Sequence, residues 1–391
     1  MDGQMFDTDT PSLAAFQLDS ATHRVGVIGE RFEISNGSLV VHWLQDDEKR
    51  CCFDQATFVV RLLEDEASQA LASNVLEVYA NSVGLKLTRA QLALVRERAD
   101  TKYAELRAPQ PLISDGARTQ FDGRVLIALS VSTSALGDPI VSCVPAWYST
   151  KLAISDSVRS DVVTHIHNRF DTRSIPLPVP TSTGPEVAVI SRDGFVILGV
   201  RCDVGRAHDG NIQVFPGGEI SSALFDQRTS SDATLIDHTY RVSVANLLSD
   251  EMGFSTAVGK QIASEQLGAL SVVSSFGSGP YPAIDGSGIY TAMQGIAFSD
   301  CDAEEIVEQA MRSRERAESS AFFGVKLTAA VISRVASPEP VSIAELFTLS
   351  GVRCPLALRS PLIRQTTLNT ERFVKPSSAF HLAVAARVQA K

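Results

Sequence analysis

The sequence predicts an α/β protein built in two parts and closed by a C-terminal extension. Three observations carry this: a globular composition, a proline-rich break at residues 174–185, and a change of texture beyond it. Hydrophobic residues make up 44% and charged residues 20% of the 391 residues, a balance that buries a large core without staples. At about 150 residues per domain, the length allows two or three domains. Pro176, Pro178, Pro180 and Pro185 fall within twelve residues. Proline lacks the N–H that a helix or interior strand requires, so 174–185 is expected to be an extended, exposed connector. It separates an α+β domain at 1–175 from an α/β domain at 185–335, with 336–391 as the extension.

Before the break, the first twenty residues are polar and acidic and are expected to be loosely held. Phe32-Glu33-Ile34 and Ser38-Leu39-Val40-Val41 alternate as short strands do. Residues 54–79 turn helical in pattern, with Phe58, Val59, Leu62 and Leu63 and later Leu71, Val75 and Leu76. Thr88 is placed to cap a second helix that runs to about Leu106, stopped by Pro109 and Pro111. Residues 125–131 read as a buried strand and 156–170 as a helix.

After the break, Val187-Ala188-Val189-Ile190 and Phe195-Val196-Ile197-Leu198 flank Asp193-Gly194, a favoured hairpin pair because both positions tolerate positive φ. Residues 211–215 form a strand ended by Pro216-Gly217-Gly218. Residues 232–252 are helical and close on Gly253 as a C′ residue. Strands at 270–275 and 289–298 enclose a glycine-rich loop, 302–318 is a charged helix, and 329–335 reads equally as strand or helix.

Charge excludes some functions. Lys and Arg number 35 against 45 Asp and Glu, for a net charge of −10, which argues against binding of bulk nucleic acid through a basic face. A small nucleotide held by a few groups remains compatible. No apolar run approaches a membrane span, and no secretory signal is visible; the expected location is cytoplasmic. The six cysteines contain no C-x-x-C, and adjacent Cys51-Cys52 cannot both face one metal, so free thiols in a reducing compartment are expected. Several other signals have structural readings. His165 and His167 point to opposite sides of a helix. Gly277-Ser278-Gly279 is followed at once by Pro280 and Pro282, where a phosphate-binding helix would need free N–H groups. No Walker A loop or G-x-S-x-G elbow occurs.

The informative stretch is 184–254. A hairpin, a strand, Pro216-Gly217-Gly218-Glu219 and a long helix end in Asn246-Leu247-Leu248-Ser249-Asp250-Glu251-Met252-Gly253-Phe254. This order resembles the Nudix family, in which a strand runs into a P-G-G turn and then a helix carrying the box G-x5-E-x7-R-E-U-x-E-E-x-G-U, with U apolar. Leu248 matches U, Asp250-Glu251 the paired acids, and Gly253-Phe254 the closing G-U. The family's R-E pair falls on Asn246-Leu247. A longer loop, 220–231, stands between the turn and the helix. The opening hairpin with Gly199-Val200-Arg201 is also similar to the family's first strands.

The resemblance implies an α/β/α sandwich with a mixed sheet over 185–335, preceded by the α+β domain. It also implies metal-dependent hydrolysis of a nucleoside diphosphate linked to another group. Mg²⁺ or Mn²⁺ would neutralise the diphosphate and activate water. Carboxylates four apart share a helix face; here the family's pair is Leu247 and Glu251, so one acid is apolar. Glu251 and Asp250 are the candidate catalytic residues, and Glu251, Asp250, Asn246 and Glu304 the candidate metal ligands. Gly217, Gly218, Arg201 and Arg206 are the candidate substrate contacts, with Arg192 beside them, since Arg reads phosphate bidentately. Activity is expected to be weak because the box is degenerate. The other reading is an inactive Nudix-like nucleotide sensor or protein-interaction scaffold, with a protein partner bound through the N-terminal domain. The loop 220–231, rich in serine, is expected to be a mobile lid.

Overall fold

The computed structural model describes residues 33–34, 39–43, 59–62, 88–108, 123–133, 139–158, 174–201, 212–221, 237–275, 290–313, 319–335 and 340–358. It also describes single positions at 75, 77, 374, 378, 381, 382, 385, 386 and 389. The strands are β1 (Glu33–Ile34), β2 (Leu39–Trp43), β3 (Val59–Leu62), β4 (Arg124–Thr133), β5 (Pro139–Trp147), β6 (Ser174–Ile190), β7 (Val196–Arg201), β8 (Ile212–Val214), β9 (Leu267–Ser275), β10 (Tyr290–Phe298), β11 (Ser319–Val325) and β12 (Leu356–Leu358). The helices are α1 (Arg89–Arg107), α2 (Tyr148–Val158), α3 (Asp237–Asp250), α4 (Thr256–Glu265), α5 (Ala303–Arg312), α6 (Ala329–Val335) and α7 (Ile343–Ser350).

The architecture is mixed α/β: an open, mostly antiparallel sheet with helices packed on it. The strand order is β1-β2-β9-β10-β6-β4-β5-β3, with β7 pairing β6, β8 and β11, and β12 pairing β11. Among the described strands, only β6–β10 and β3–β5 run parallel. The core lies between sheet and helices and joins Val187–Ile190, Val196–Leu198, Phe215, Leu248, Met252, Ile306 and Phe322. Phe215 and Phe322 meet edge to face at 4.8 Å. None of the described helices is long and apolar enough to cross a membrane. Cys143, Cys301 and Cys354 are free thiols; burial pushes the Cys143 thiol far up and keeps it neutral.

Two expectations are corrected. The helical pattern at 54–79 gives way at its start to strand β3, whose Val59-Val60 pair sits parallel to Ile140-Val141. Two adjacent β-branched residues suit a pleated sheet better than a helix; Val75 and Glu77 further on are helical. The larger correction is at 174–185, which is not an exposed connector. It is the first part of β6, and residues 182–185 are buried. Ser174, Ile175 and Pro176 pair with Ser132, Val131 and Ser130, and Thr181 and Ser182 with Ala128 and Ile127. The register shifts between Ala128 and Ser130, so residues 177–180 bulge from the ladder. Pro178 and Pro180 fall inside that bulge, where no N–H is needed.

Other boundaries shift without changing type. The helix expected at 156–170 begins earlier, as α2, and residues 159–170 lie outside the described residues, as do His165, His167 and 277–279. α3 begins at Asp237 and α5 ends at Arg312, while 329–335 is the helix α6. Gly253 has φ +72 and stands 2.5 Å, by the position its Cβ would take, from the Gln309 carbonyl oxygen. Both facts demand glycine there. The C-terminal extension packs back onto the sheet: β12 extends β11, and Val374 bridges Ile212.

Ser342 caps α7 by accepting from the Glu345 N–H at 3.0 Å. Arg334 donates to Glu345 at 2.6 Å, and this hydrogen bond holds the Glu345 carboxyl below its ordinary value. A lowered folded-state value stabilises the fold above the ordinary carboxyl range. That contribution is lost as pH falls below the ordinary value of 4.5 towards the lowered one. In urea titrations at stepped pH, Glu345→Gln is expected to lose stability near neutrality and to show a shallower decline in acid. An unchanged acid slope would show that the pair adds nothing.

Candidate functional site

The strand after β8 builds the site. Beyond Val214, residues Pro216 to Ile220 run antiparallel to β6. Val187 N–H donates to the Pro216 carbonyl at 2.9 Å, Gly218 N–H to Pro185 at 3.1 Å, and Ile220 N–H to Thr183 at 3.0 Å. On the other side, Leu126 N–H donates to the Ile220 carbonyl at 3.2 Å. The Pro-Gly-Gly segment is therefore paired with the second half of β6, and Ile220 at its far end also reaches β4. Ile220 is fully buried, so the expected lid at 220–231 fails at its first residue; 222–231 lies outside the described residues. The close approach depends on Gly184, where a Cβ would lie 1.8 Å from the Gly218 carbonyl oxygen.

One face of this segment meets α3. The Cβ position of Gly218 lies 2.7 Å from Leu247 Cδ2 and 3.4 Å from Glu251 Oε1. Glu251 is 3% exposed, and its Oε2 accepts from the Gly217 N–H at 3.2 Å. Strand, turn and helix end thus stand together. Glu251 is held by the turn, Leu247 packs on Gly218, Asp250 is half-buried and Asn246 is exposed. Glu304 sits exposed in the first turn of α5. Among the described residues, no group of three or more His, Cys, Asp or Glu converges as a metal site would require.

Side chains alternate along a strand, so Glu219 projects to the face opposite Gly218. Its Oε1 accepts from Lys151 Nζ at 2.7 Å and from Ser182 Oγ at 2.7 Å. Lys151 comes from α2 and is buried, with its ammonium 4.7 Å from the centre of the Tyr148 ring. Burial alone would push Lys151 down, but the Glu219 charge and hydrogen bond outweigh it and raise it, so the ammonium stays charged. Arg201, half-buried at the end of β7, is close enough for its charge to act on the same ammonium. Arg206 lies outside the described residues. Arg192 is committed elsewhere: it grips Asp302 with both arms, at 3.0 and 2.6 Å.

A second buried polar set was not legible. Glu186, two residues beyond Gly184, has its Oε1 3.1 Å from Ser378 Oγ, 3.4 Å from Gln294 Nε2 and 3.4 Å from His381 Nδ1. His381 is fully buried, and its Nε2 stands 2.6 Å from the Gly295 carbonyl. The carbonyl only accepts, so Nε2 carries the proton. Nearly two hundred residues separate Glu186 from His381, and no local spacing joins them. Ser378 also accepts from the Val214 N–H at 3.0 Å, which ties the C-terminal segment to the strand that feeds the turn. No protein-family model matches the sequence, and no curated protein is significantly similar to it.

Proposed function

We propose that the chain is a Nudix-like binding protein, with an α/β/α arrangement around 185–335, that takes a nucleoside diphosphate linked to another group and hydrolyses it weakly or not at all. One observation carries this reading. Glu251, the acid that keeps the family's position, is buried and already accepts from the Gly217 N–H. A Mg²⁺ or Mn²⁺ ligand must offer charged oxygens to an open position. Here Leu247 fills the neighbouring ligand position with methyl groups against Gly218. The residues present therefore do not fit a resident divalent metal of the family type, and no hydrolytic step is assigned to one. Support for the nucleotide class is the order of strand, Pro-Gly-Gly turn and helix end, held in direct contact.

The test is a product assay across a nucleotide panel with Mg²⁺ or Mn²⁺, run beside calorimetry on the same ligands, for the native chain and Glu251→Gln. Binding with turnover near background is expected, and Glu251→Gln should leave that background unchanged. Fast metal-dependent turnover abolished by Glu251→Gln would restore the hydrolase reading, with Glu251 and Asp250 as its catalytic pair. Absence of both binding and turnover would leave the protein-interaction scaffold.

A further inference from the structure

We propose that Ser378 is a positioning residue for the Pro-Gly-Gly turn, and that the candidate site forms only while the C-terminal segment is seated on the sheet. The proposal rests on the nucleotide-binding reading for what the turn binds. It adds to that reading a control exerted by the chain's own C-terminal part.

Pro216 has no N–H to give, so one ladder donor is missing where the chain leaves β8 for β6. Ser378 acts at that crossing. Its hydroxyl accepts from the Val214 N–H at 3.0 Å, two residues before Pro216, and donates to Glu186 Oε1 at 3.1 Å. Glu186 in turn stands opposite Gly217 in an antiparallel bridge. One hydroxyl therefore joins the strand that enters the turn to the strand the turn lies against. Ser378 is fully buried, so water cannot replace it. The segment that carries it is fixed at both ends. Val374 bridges Ile212, His381, Leu382 and Ala385 are buried, and Gln389 Nε2 donates to the Gly194 carbonyl at 3.1 Å. On its other side the turn meets α3, where the Gly217 N–H reaches Glu251. Without the Ser378 hydroxyl, the buried Val214 N–H has no acceptor, and the turn loses the tie that sets Gly217 and Gly218 against Glu251. Ser378 touches no ligand in this arrangement; it acts through the turn.

The experiment is amide hydrogen exchange on the full chain, read at single residues. In the native chain the Val214 amide reports Ser378 and the Gly218 amide reports the turn. The two are expected to show matching protection, as members of one opening unit do. A Gly218 amide that stays protected while Val214 opens would overturn the proposal, and this reading needs no variant. Ser378→Ala removes the hydroxyl, and Ser378→Cys keeps its volume with a thiol that donates and accepts weakly. Both are expected to speed exchange at Gly217 and Gly218 by about tenfold or more, with smaller changes at Ile332 in α6 and Leu346 in α7. Equal acceleration at all four amides would make Ser378 a contributor to general stability alone and overturn the proposal. Calorimetry with ADP-ribose is the second arm. Ser378→Ala, shown folded by its thermal melt, is expected to bind about threefold or more weakly than the native chain. Unchanged affinity would overturn the link between Ser378 and the site and spare the nucleotide reading. Failure of the native chain to bind would end the nucleotide reading, and the exchange data alone would then decide the role of Ser378.

Discussion

Gly184→Ala is expected to remove most of the protein's stability. The methyl group would lie 1.8 Å from the Gly218 carbonyl oxygen and 2.7 Å from Glu219 Cα. Both are backbone atoms, and neither can swing aside as the end of a long side chain does. Relief requires the Pro216–Ile220 segment to leave β6, which breaks the bonds Gly218 N–H to Pro185 and Ile220 N–H to Thr183 and uncovers Ile220. Backbone displacement in a core belongs with the exceptional single changes, about 4 kcal/mol or more, against a usual total of roughly 5–15 kcal/mol. Urea denaturation followed by far-ultraviolet circular dichroism checks it. Gly217→Ala is the matched control: its methyl would meet ordinary contacts, the nearest at 3.6 Å, so its midpoint should move little. A Gly184→Ala midpoint close to the native one would show that the segment is not tightly held.

The second large effect is expected at His381. Its ring is fully enclosed between the Gly295 carbonyl and the Glu186 carboxylate. His381→Ala leaves that carboxylate buried without its ring partner and leaves the Gly295 carbonyl without its donor. Each buried polar group left without its partner typically costs about 1–3 kcal/mol, and here two are left. Glu186→Gln should cost less, because the amide still offers an oxygen to Ser378 and Gln294. The double change Glu186→Leu, His381→Leu should recover part of the single loss, since removing both partners of a buried polar contact with apolar groups of similar volume leaves neither of them unsatisfied. A four-member mutant cycle in urea measures the coupling. Additive losses would show that ring and carboxylate act independently.

What was legible in the sequence follows from the range of each signal. The Asp193-Gly194 turn, the strand ending before Pro216 and the Gly253 helix stop are set by neighbours along the chain, and all three appear where their residues place them. The proline-rich stretch is a strand because a missing N–H matters only where a partner carbonyl faces it. In the structure the register shift takes Pro178 and Pro180 out of the β4 ladder, and Pro185 contributes its carbonyl to Gly218. At β3 the side-chain period is too short to separate strand from helix. At the candidate site, proximity of the turn to Glu251 was readable from family-like spacing. The Lys151–Glu219 and Glu186–His381 contacts were not, since each joins residues from distant parts of the chain. Arg192 is held by Asp302, which lies far along the sequence, so its engagement leaves no local sequence signal.

β6 runs between two sets of sheet partners. Its first half is hydrogen-bonded to β4 and its second half to β10. The covalent chain that passes from one set of partners to the other does so as extended backbone, not as a tether. A tether would let the parts reorient at small energetic cost, and a signal arriving at one would be lost in rotation. A strand transmits displacement along its length, because sliding it by one residue would reverse the facing of every side chain it carries. Gly184, the Pro-Gly-Gly segment and the grip of Lys151 on Glu219 all lie close to the changeover. The changeover thus places α2, through Lys151 and Glu219, and the turn against the same stretch of β6.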